Sequence, residues 1–324
     1  MKIGKLKLHG ALVLAPMSGM TNLPIRLLCK KYGASLVYSE MISSEAIVRE
    51  NPKSISRGLI AAEERPVGIQ LMGSDPETLK RSTQILERIY EPDIIDLNFG
   101  CPAQEVVRSG CGAALLKNTG IIREIIERLT GSLDVPITAK MRILDSIDST
   151  VEIAQTIEKA GAAALTVHGR TQKQGYSGKV NLETIRAVKC AISIPVIANG
   201  DIRDETSACH ALEYTQCDGL MIGRAAVGDP YIFRRISHYI ETGELLPHRT
   251  FDERLDDFFE YAKLCRRYEM LSYRDIKIKA QRFLKNRADI KSVRKRMNGA
   301  IDIDSIMEIM EEARATKGTL QVVC

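Results

Sequence analysis

The stretch at residues 94–116, IIDLNFGCPAQEVVRSGCGAALL, holds two thiols in different settings. Cys101 follows an apolar run and sits in a Gly100-Cys101-Pro102 turn, where glycine permits a sharp bend and proline fixes the chain just beyond it. A thiol so placed projects past the end of the element that carries it. A free thiol titrates at about 8.5, so at neutral pH it is mostly protonated. It can donate that proton as it stands, or attack as a thiolate if a neighbour lowers its pKa. Cys111 lies among small residues, where a free cysteine serves as a small hydrophobe, and its expected role is packing.

Other residues suit binding better than proton transfer. Lys140 and His168 stand near the ends of two successive apolar runs, a cationic pair able to hold an anion or a negatively charged ring. Gln70 and Asn199 offer paired donors and acceptors suited to a planar heterocycle. Gly200-Asp201 and Gly223-Arg224 fall where the last two apolar runs pass into helical patterns, a place where backbone N–H groups bind phosphate. Together these groups suggest a phosphorylated, flat cofactor such as FMN. A phosphorylated sugar, or pyridoxal phosphate carried on Lys140, has similar needs and stays open at this level. There is no Gly-x-Gly-x-x-Gly fingerprint, so a nicotinamide reductant would visit the open mouth of the site rather than own a domain. There is no Cys-x-x-Cys pair, and Cys209, His210 and Cys217 are too loosely spaced for a metal centre.

Eight short apolar runs must position these residues: 12–17, 36–41, 67–73, 94–100, 136–142, 164–170, 195–201 and 219–224. Each has strand length and is bounded by Gly, Pro or polar residues. Helical patterns lie between them, as in 74–89. There Ser74 or Asp75 supplies a cap, Pro76 opens the first turn, and Leu79, Ile85, Leu86 and Ile89 are the apolar positions. Eight β–α units in about 230 residues predict an α/β fold of the (β/α)8 TIM-barrel kind over a doubly wound sheet. Seven runs carry a polar side chain at or near their C-terminal end: Glu40, Gln70, Asn98, Lys140, His168, Asn199 and Arg224. The first ends instead in Pro16-Met17-Ser18, a turn that exposes backbone. Polar groups in step at barrel strand ends predict an active site on that face.

Lys and Arg outnumber Asp and Glu by five, but unevenly. Segment 266–296 holds twelve basic residues and three acidic ones, and the remainder of the chain carries 34 and 38. A slightly acidic body with one strongly basic segment predicts a surface for a polyanion, nucleic acid first. Past 241–250, which contains Gly243 and Pro247, the strand–helix alternation stops. Helical patterns then cover 252–268, 273–287, 290–297 and 302–315. In 273–287, Ile276, Ala280, Phe283 and Leu284 form one face, and Arg274, Lys277, Lys285 and Arg287 lie elsewhere, exposed. Lys277, Arg282 and Lys285 are the candidates for contact with RNA phosphates. The expected division is a barrel over 1–240 and a small all-helical domain over 241–324. The 44% hydrophobic content suits a globular chain, and no run approaches the roughly 18–20 apolar residues of a membrane span. Eight scattered cysteines, with no signal peptide ahead of them, suit reduced thiols in the cytoplasm. A monomer with no obligate protein partner, no metal and no membrane contact is expected.

The segments APMSGMTNLPIR, SEM, GIQLMGSDP, IIDLNFGCPAQEVVRSGCGAALL, AKMR, TVHGRT, IPVIANGDI and DGLMIGRAAVGDPYIF resemble the tRNA-dihydrouridine synthase family over residues 11–240. The resemblance implies a flavin-dependent TIM barrel followed by a small helical domain. It further implies that NADPH reduces FMN, and that the reduced flavin saturates the C5–C6 bond of particular uridines in tRNA. On the family's pattern Pro16, Met17 and Ser18 lie against FMN, and Gln70, Lys140 and His168 contact the flavin. Asn199, Gly200, Asp201, Gly223 and Arg224 hold the ribityl phosphate. Cys101 matches the acid that protonates C5 while hydride passes from flavin N5 to C6. Asn98 matches a residue near the uracil, and Arg170 is placed close to the target nucleotide. Cys111 departs from the pattern, where a small residue such as alanine is expected. A base stacked in folded tRNA must be extruded to reach a barrel mouth. Two other functions fit the residues alone: an FMN barrel acting on a free pyrimidine, as in dihydroorotate dehydrogenases, and a non-catalytic RNA-binding barrel. The full set of polar strand ends argues against the second.

Overall fold

A computed structural model describes residues 1–247, 249–285 and 290–315; Arg287 and Cys324 lie outside them. Eight parallel strands form the centre, here numbered β1 (Leu12–Leu14), β2 (Val37–Tyr38), β3 (Val67–Met72), β4 (Ile94–Phe99), β5 (Ile137–Arg142), β6 (Ala164–His168), β7 (Val196–Asn199) and β8 (Gly219–Ile222). Each pairs with its successor from β2 to β8, and β8 returns to β1 with Met221 beside Val13. A parallel bridge from Val13 to Leu36 closes the ring. This is the expected (β/α)8 barrel. The run at 36–41 is broken: β2 stops at Tyr38, and a short strand, Ile42–Ser43, rejoins β3 beside Leu71.

The alternation of strand and helix follows from local signals. In the helix Pro76–Tyr90, Asp75 is the cap, its Oδ2 accepting the Thr78 N–H at 2.7 Å, and Pro76 fills the first position, where a missing N–H is harmless. Leu79 and Leu86 from that helix are fully buried, each contributing about 1.5–3 kcal/mol by leaving water. Two apolar layers result. Inside the barrel, Val13, Ala15, Leu36, Tyr38, Ile94, Ala164, Ile197 and Met221 pack together, joined by Ile3 and Leu8 of an N-terminal antiparallel hairpin. The larger layer lies between the outer strand faces and the helices, and it runs without a break into the C-terminal helices.

Those helices are Phe251–Arg267, Tyr273–Phe283, Ile290–Gly299 and Ile303–Ala315. The first opens on a capping box: Thr250 Oγ1 accepts the Glu253 N–H, and Glu253 Oε2 accepts the Thr250 N–H. It packs on the barrel helix Leu23–Lys31. In Tyr273–Phe283 the apolar face is as expected, with Ile276, Ala280 and Phe283 fully buried and Leu284 buried just beyond. Two lysines stand out, and one of them, Lys277, departs from expectation. Lys279 lies on the same face and is fully buried. Lys277 is half-buried rather than exposed, its Nζ donating to Tyr273 Oη and to the carbonyls of Asn298 and Ala300. The electronegative end of Ile290–Gly299 draws the ammonium in.

Candidate active site

A cavity of about 1220 Å³ opens where the barrel strands end. Around its rim stand Pro16, Met17 and Ser18 after β1, Gln70 from β3, and Asn98 and Cys101 at the end of β4. Lys140 from β5, His168 and Arg170 from β6, Asn199, Gly200 and Asp201 from β7, and Gly223 and Arg224 after β8 complete the ring. Arg282 and Lys285 line its far wall, with Tyr231, Arg249 and Arg254. Of the seven polar strand ends, Glu40 alone does not line the cavity; its carboxylate accepts the Gly19 N–H in the turn after β1. Lys277 does not line it either.

Cys101 is half-buried and is held through its backbone. Asn98 Oδ1 accepts the N–H groups of Gly100 (3.1 Å) and Cys101 (2.9 Å), and the Ala113 N–H donates to the Cys101 carbonyl at 3.1 Å. Arg142 Nε donates to the Gly100 carbonyl at 2.8 Å. Behind Asn98 runs a chain that the sequence does not reveal. Asn98 Nδ2 donates to Gln70 Oε1 at 2.8 Å, Gln70 Nε2 donates to Asp96 Oδ2 at 2.7 Å, and Thr138 donates to Asp96 Oδ1 at 2.6 Å. Burial pushes the Asp96 carboxyl up to about 6, against the pull of Thr138, Gln70 and Lys140. The available signal was its place: an acid two residues before Asn98, hence on the same strand face. Cys111 is buried, its Sγ 3.6 Å from the Ser109 carbonyl.

Burial, with Arg142 adding to it, lowers the Lys140 ammonium to about 8, and Asp96 and Cys101 oppose the shift. His168 is brought down to about 2, first by burial and then by Lys140, Arg142, Arg170 and Arg224. The expected cationic pair is therefore one ammonium beside a neutral imidazole: a buried ring among four positive groups does not take a proton. Burial alone raises Asp201, but Arg170 and Arg203 outweigh it and hold the carboxyl below its usual range. Arg170 is itself buried. It braces the 171–178 loop through the carbonyls of Ser177 (3.0 Å) and Gly178 (2.6 Å), and it meets Asp201 Oδ2 at 2.6 Å. On that loop Tyr176 is 62% exposed, with the guanidiniums of Arg142 and Arg224 at 5.8 and 5.0 Å from its ring centre.

The groups present fit a flat, phosphorylated ligand. Buried amides (Gln70, Asn199), one ammonium and a neutral imidazole face the cavity on the barrel axis. Gly200 runs so close to His168 that an added Cβ would lie 3.0 Å from its Cδ2 and 2.6 Å from Val180, so backbone alone fits there. Arg224, 55% exposed, supplies a cation at the adjoining corner, its guanidinium 3.9 Å from Asp201 Oδ1. A family model for dihydrouridine synthases (Dus) matches residues 13–321. The chain belongs to the dihydrouridine synthase family. It is 45% identical over 249 residues to tRNA-dihydrouridine synthase B of Escherichia coli (strain K12), covering 76% of this chain and 77% of that protein. The enzymes of the same name from Yersinia pestis and Pseudomonas aeruginosa are 44% and 43% identical over 76% of this chain, which covers 77% and 74% of theirs. Within this family member, no group of three or more His, Cys, Asp or Glu among the described residues is placed to hold a metal ion. No helix among the described residues is long and apolar enough to cross a membrane.

Proposed function

We propose that this chain is a flavin-dependent tRNA-dihydrouridine synthase that reduces the C5–C6 bond of specific tRNA uridines. FMN held among the residues of this cavity, with NADPH as its reductant, would supply the hydride for uracil C6. The observation that carries this reading is Cys101: a half-buried, rigidly held thiol in one cavity with Asn98, Lys140 and Gln70, in a chain of this family. Cys101 delivers the proton to C5 as a general acid. Asn98, whose Oδ1 is engaged by the Cys101 turn and whose Nδ2 gives one N–H to Gln70, presents its second N–H near the uracil. Gln70, Lys140 and His168 hold the ring, and of these three Lys140 alone is positively charged, since His168 is neutral. Asn199, Gly200, Asp201, Gly223 and Arg224 take the phosphate, and Pro16, Met17 and Ser18 form a wall. Arg170 acts near the nucleotide by fixing the loop that carries Tyr176, an exposed face on which a base can stack.

The cavity of about 1220 Å³ exceeds the roughly 300–1,000 Å³ of a site for one small ligand, which suits a cofactor and an extruded nucleotide together. Residues 1–240 form the catalytic domain, and 241–324 form a tRNA-binding domain whose Arg282 and Lys285 meet phosphate. The protein works as a cytoplasmic monomer without an obligate protein partner. The test is to map dihydrouridine on bulk tRNA from a strain lacking this chain, complemented with wild type or Cys101→Ala. A defined set of uridines loses the modification and regains it with wild type only; an unchanged map refutes the proposal.

A further inference from the structure

We infer that Lys279 is a positioning residue for the cofactor loop, a buried cation on the basic helix Tyr273–Phe283 that holds the turn after β1 in shape. This rests on the function proposed above. Lys279 is fully buried, and its Nζ donates to the Gly19 carbonyl at 3.0 Å and to Asp275 Oδ1 at 2.8 Å. Asp275 Oδ2 in turn accepts from Asn22 Nδ2 (3.1 Å) and from the Tyr261 hydroxyl. Asn22 is the cap of the barrel helix Leu23–Lys31, its Oδ1 accepting the Ile25 N–H. Side chains from two C-terminal helices thus meet the chain between Gly19 and Asn22. On the other side of the same residue, Glu40 takes the Gly19 N–H. Gly19 is therefore tied through both of its backbone groups, by the barrel on one side and the C-terminal helices on the other. The turn so held carries Pro16, Met17, Ser18 and Met20, all of which line the cavity.

A second contact of the same helix reaches the opposite side of the β1–β8 seam. Gly228, in the loop after β8 that follows Gly223 and Arg224, has φ +98, and an added Cβ would lie 2.6 Å from the carbonyl of Arg282. The helix therefore rests on both loops assigned to the cofactor, one turn apart. A buried ion pair contributes little net stability compared with apolar groups of the same volume, whereas it fixes direction and register. Lys279 does so against a carbonyl, an acceptor that no aliphatic side chain can engage.

The test uses full-length, FMN-loaded protein and the variants K279M and K279R. FMN affinity and the visible absorption and circular dichroism of the bound flavin are read without tRNA; kcat and KM for tRNA are read separately. For K279M, the FMN Kd rises about tenfold or more, the flavin bands shift, and kcat falls with little change in KM for tRNA; K279R restores part of each. If K279M does not fold, K279M/D275N leaves no uncompensated buried charge and is read in the same way. A folded variant with wild-type FMN Kd and flavin spectrum overturns the inference while leaving the proposed function standing. Wild-type protein that binds no FMN overturns both.

Discussion

Cys101 owes its place to its own backbone, since the N–H and carbonyl on either side of it are both engaged while the thiol faces the cavity. Replacing the side chain therefore leaves the turn intact. Cys101→Ala is expected to keep FMN binding and NADPH oxidation while slowing dihydrouridine formation by roughly 10²–10⁴-fold, the usual worth of a general acid. Single-turnover reduction of tRNA by pre-reduced enzyme checks this, and a wild-type rate rules out the acid role. His168 offers a separate test through stability. Its folded value of about 2 lies far below the ordinary 6.5, so below pH 6.5 the unfolded chain takes up a proton that the folded one refuses. Stability is lost as pH falls through that window. His168→Asn removes the penalty, so the variant gains on wild type by about 1.4 kcal/mol per pH unit below 6.5. Urea unfolding of both proteins at several pH values measures the difference, and a pH-independent difference would contradict the neutral assignment.

Strands β3, β4 and β5 act as one unit because the Thr138–Asp96–Gln70–Asn98 chain crosses all three. A carboxylate accepts from both Thr138 and Gln70, whereas an aliphatic side chain of similar size accepts from neither. Asp96→Leu, which leaves Gln70 Nε2 without its acceptor, is thus expected to rotate Gln70 and release Asn98 from the Cys101 turn. A misplaced reacting group costs up to about 100-fold, so tRNA reduction should fall roughly 10–100-fold with the fold preserved. Comparing the circular dichroism and tRNA turnover of the variant decides it: full turnover sinks the relay. Helix Tyr273–Phe283 illustrates a different limit at this scale. Its apolar stripe was legible from spacing, yet Lys279, three residues after Ile276 and four before Phe283, lies within that stripe. A lysine at such a position reads as solvent-facing by type and as buried by phase, and Asp275 and the Gly19 carbonyl settle which applies.

For the whole molecule, the cavity is walled by the barrel on one side and by Arg282 and Lys285 on the other, both exposed. Removing these two cations is expected to weaken tRNA binding and to make the slope of log K against log salt shallower by about one to two, because a phosphate that meets no cation keeps its counterions. Oxidation of NADPH without tRNA should stay within about twofold, because the barrel side of the cavity keeps its polar groups. Filter binding over a salt series with R282A/K285A tests the separation, and parallel loss of both activities contradicts it. Lys277 does not belong in this set, since its hydrogen bonds hold the end of Ile290–Gly299.

The eight strands, their order, and the polar groups at six of their tips that line the cavity were determined by the sequence, because element type and facing follow from periods of two and 3.6 residues within short windows. The Gly-Cys-Pro turn and the basic segment were equally local. What only the tertiary structure decided involves partners far apart in the chain. Asp96 meets Gln70 across 26 residues, and Lys279 meets Gly19 across 260. The neutral state of His168 is likewise a sum over cations from several strands, and Lys277 is drawn from the surface by carbonyls more than twenty residues on. Hydrogen bonding and electrostatic fields depend on distance in space, which periodicity along the chain does not encode.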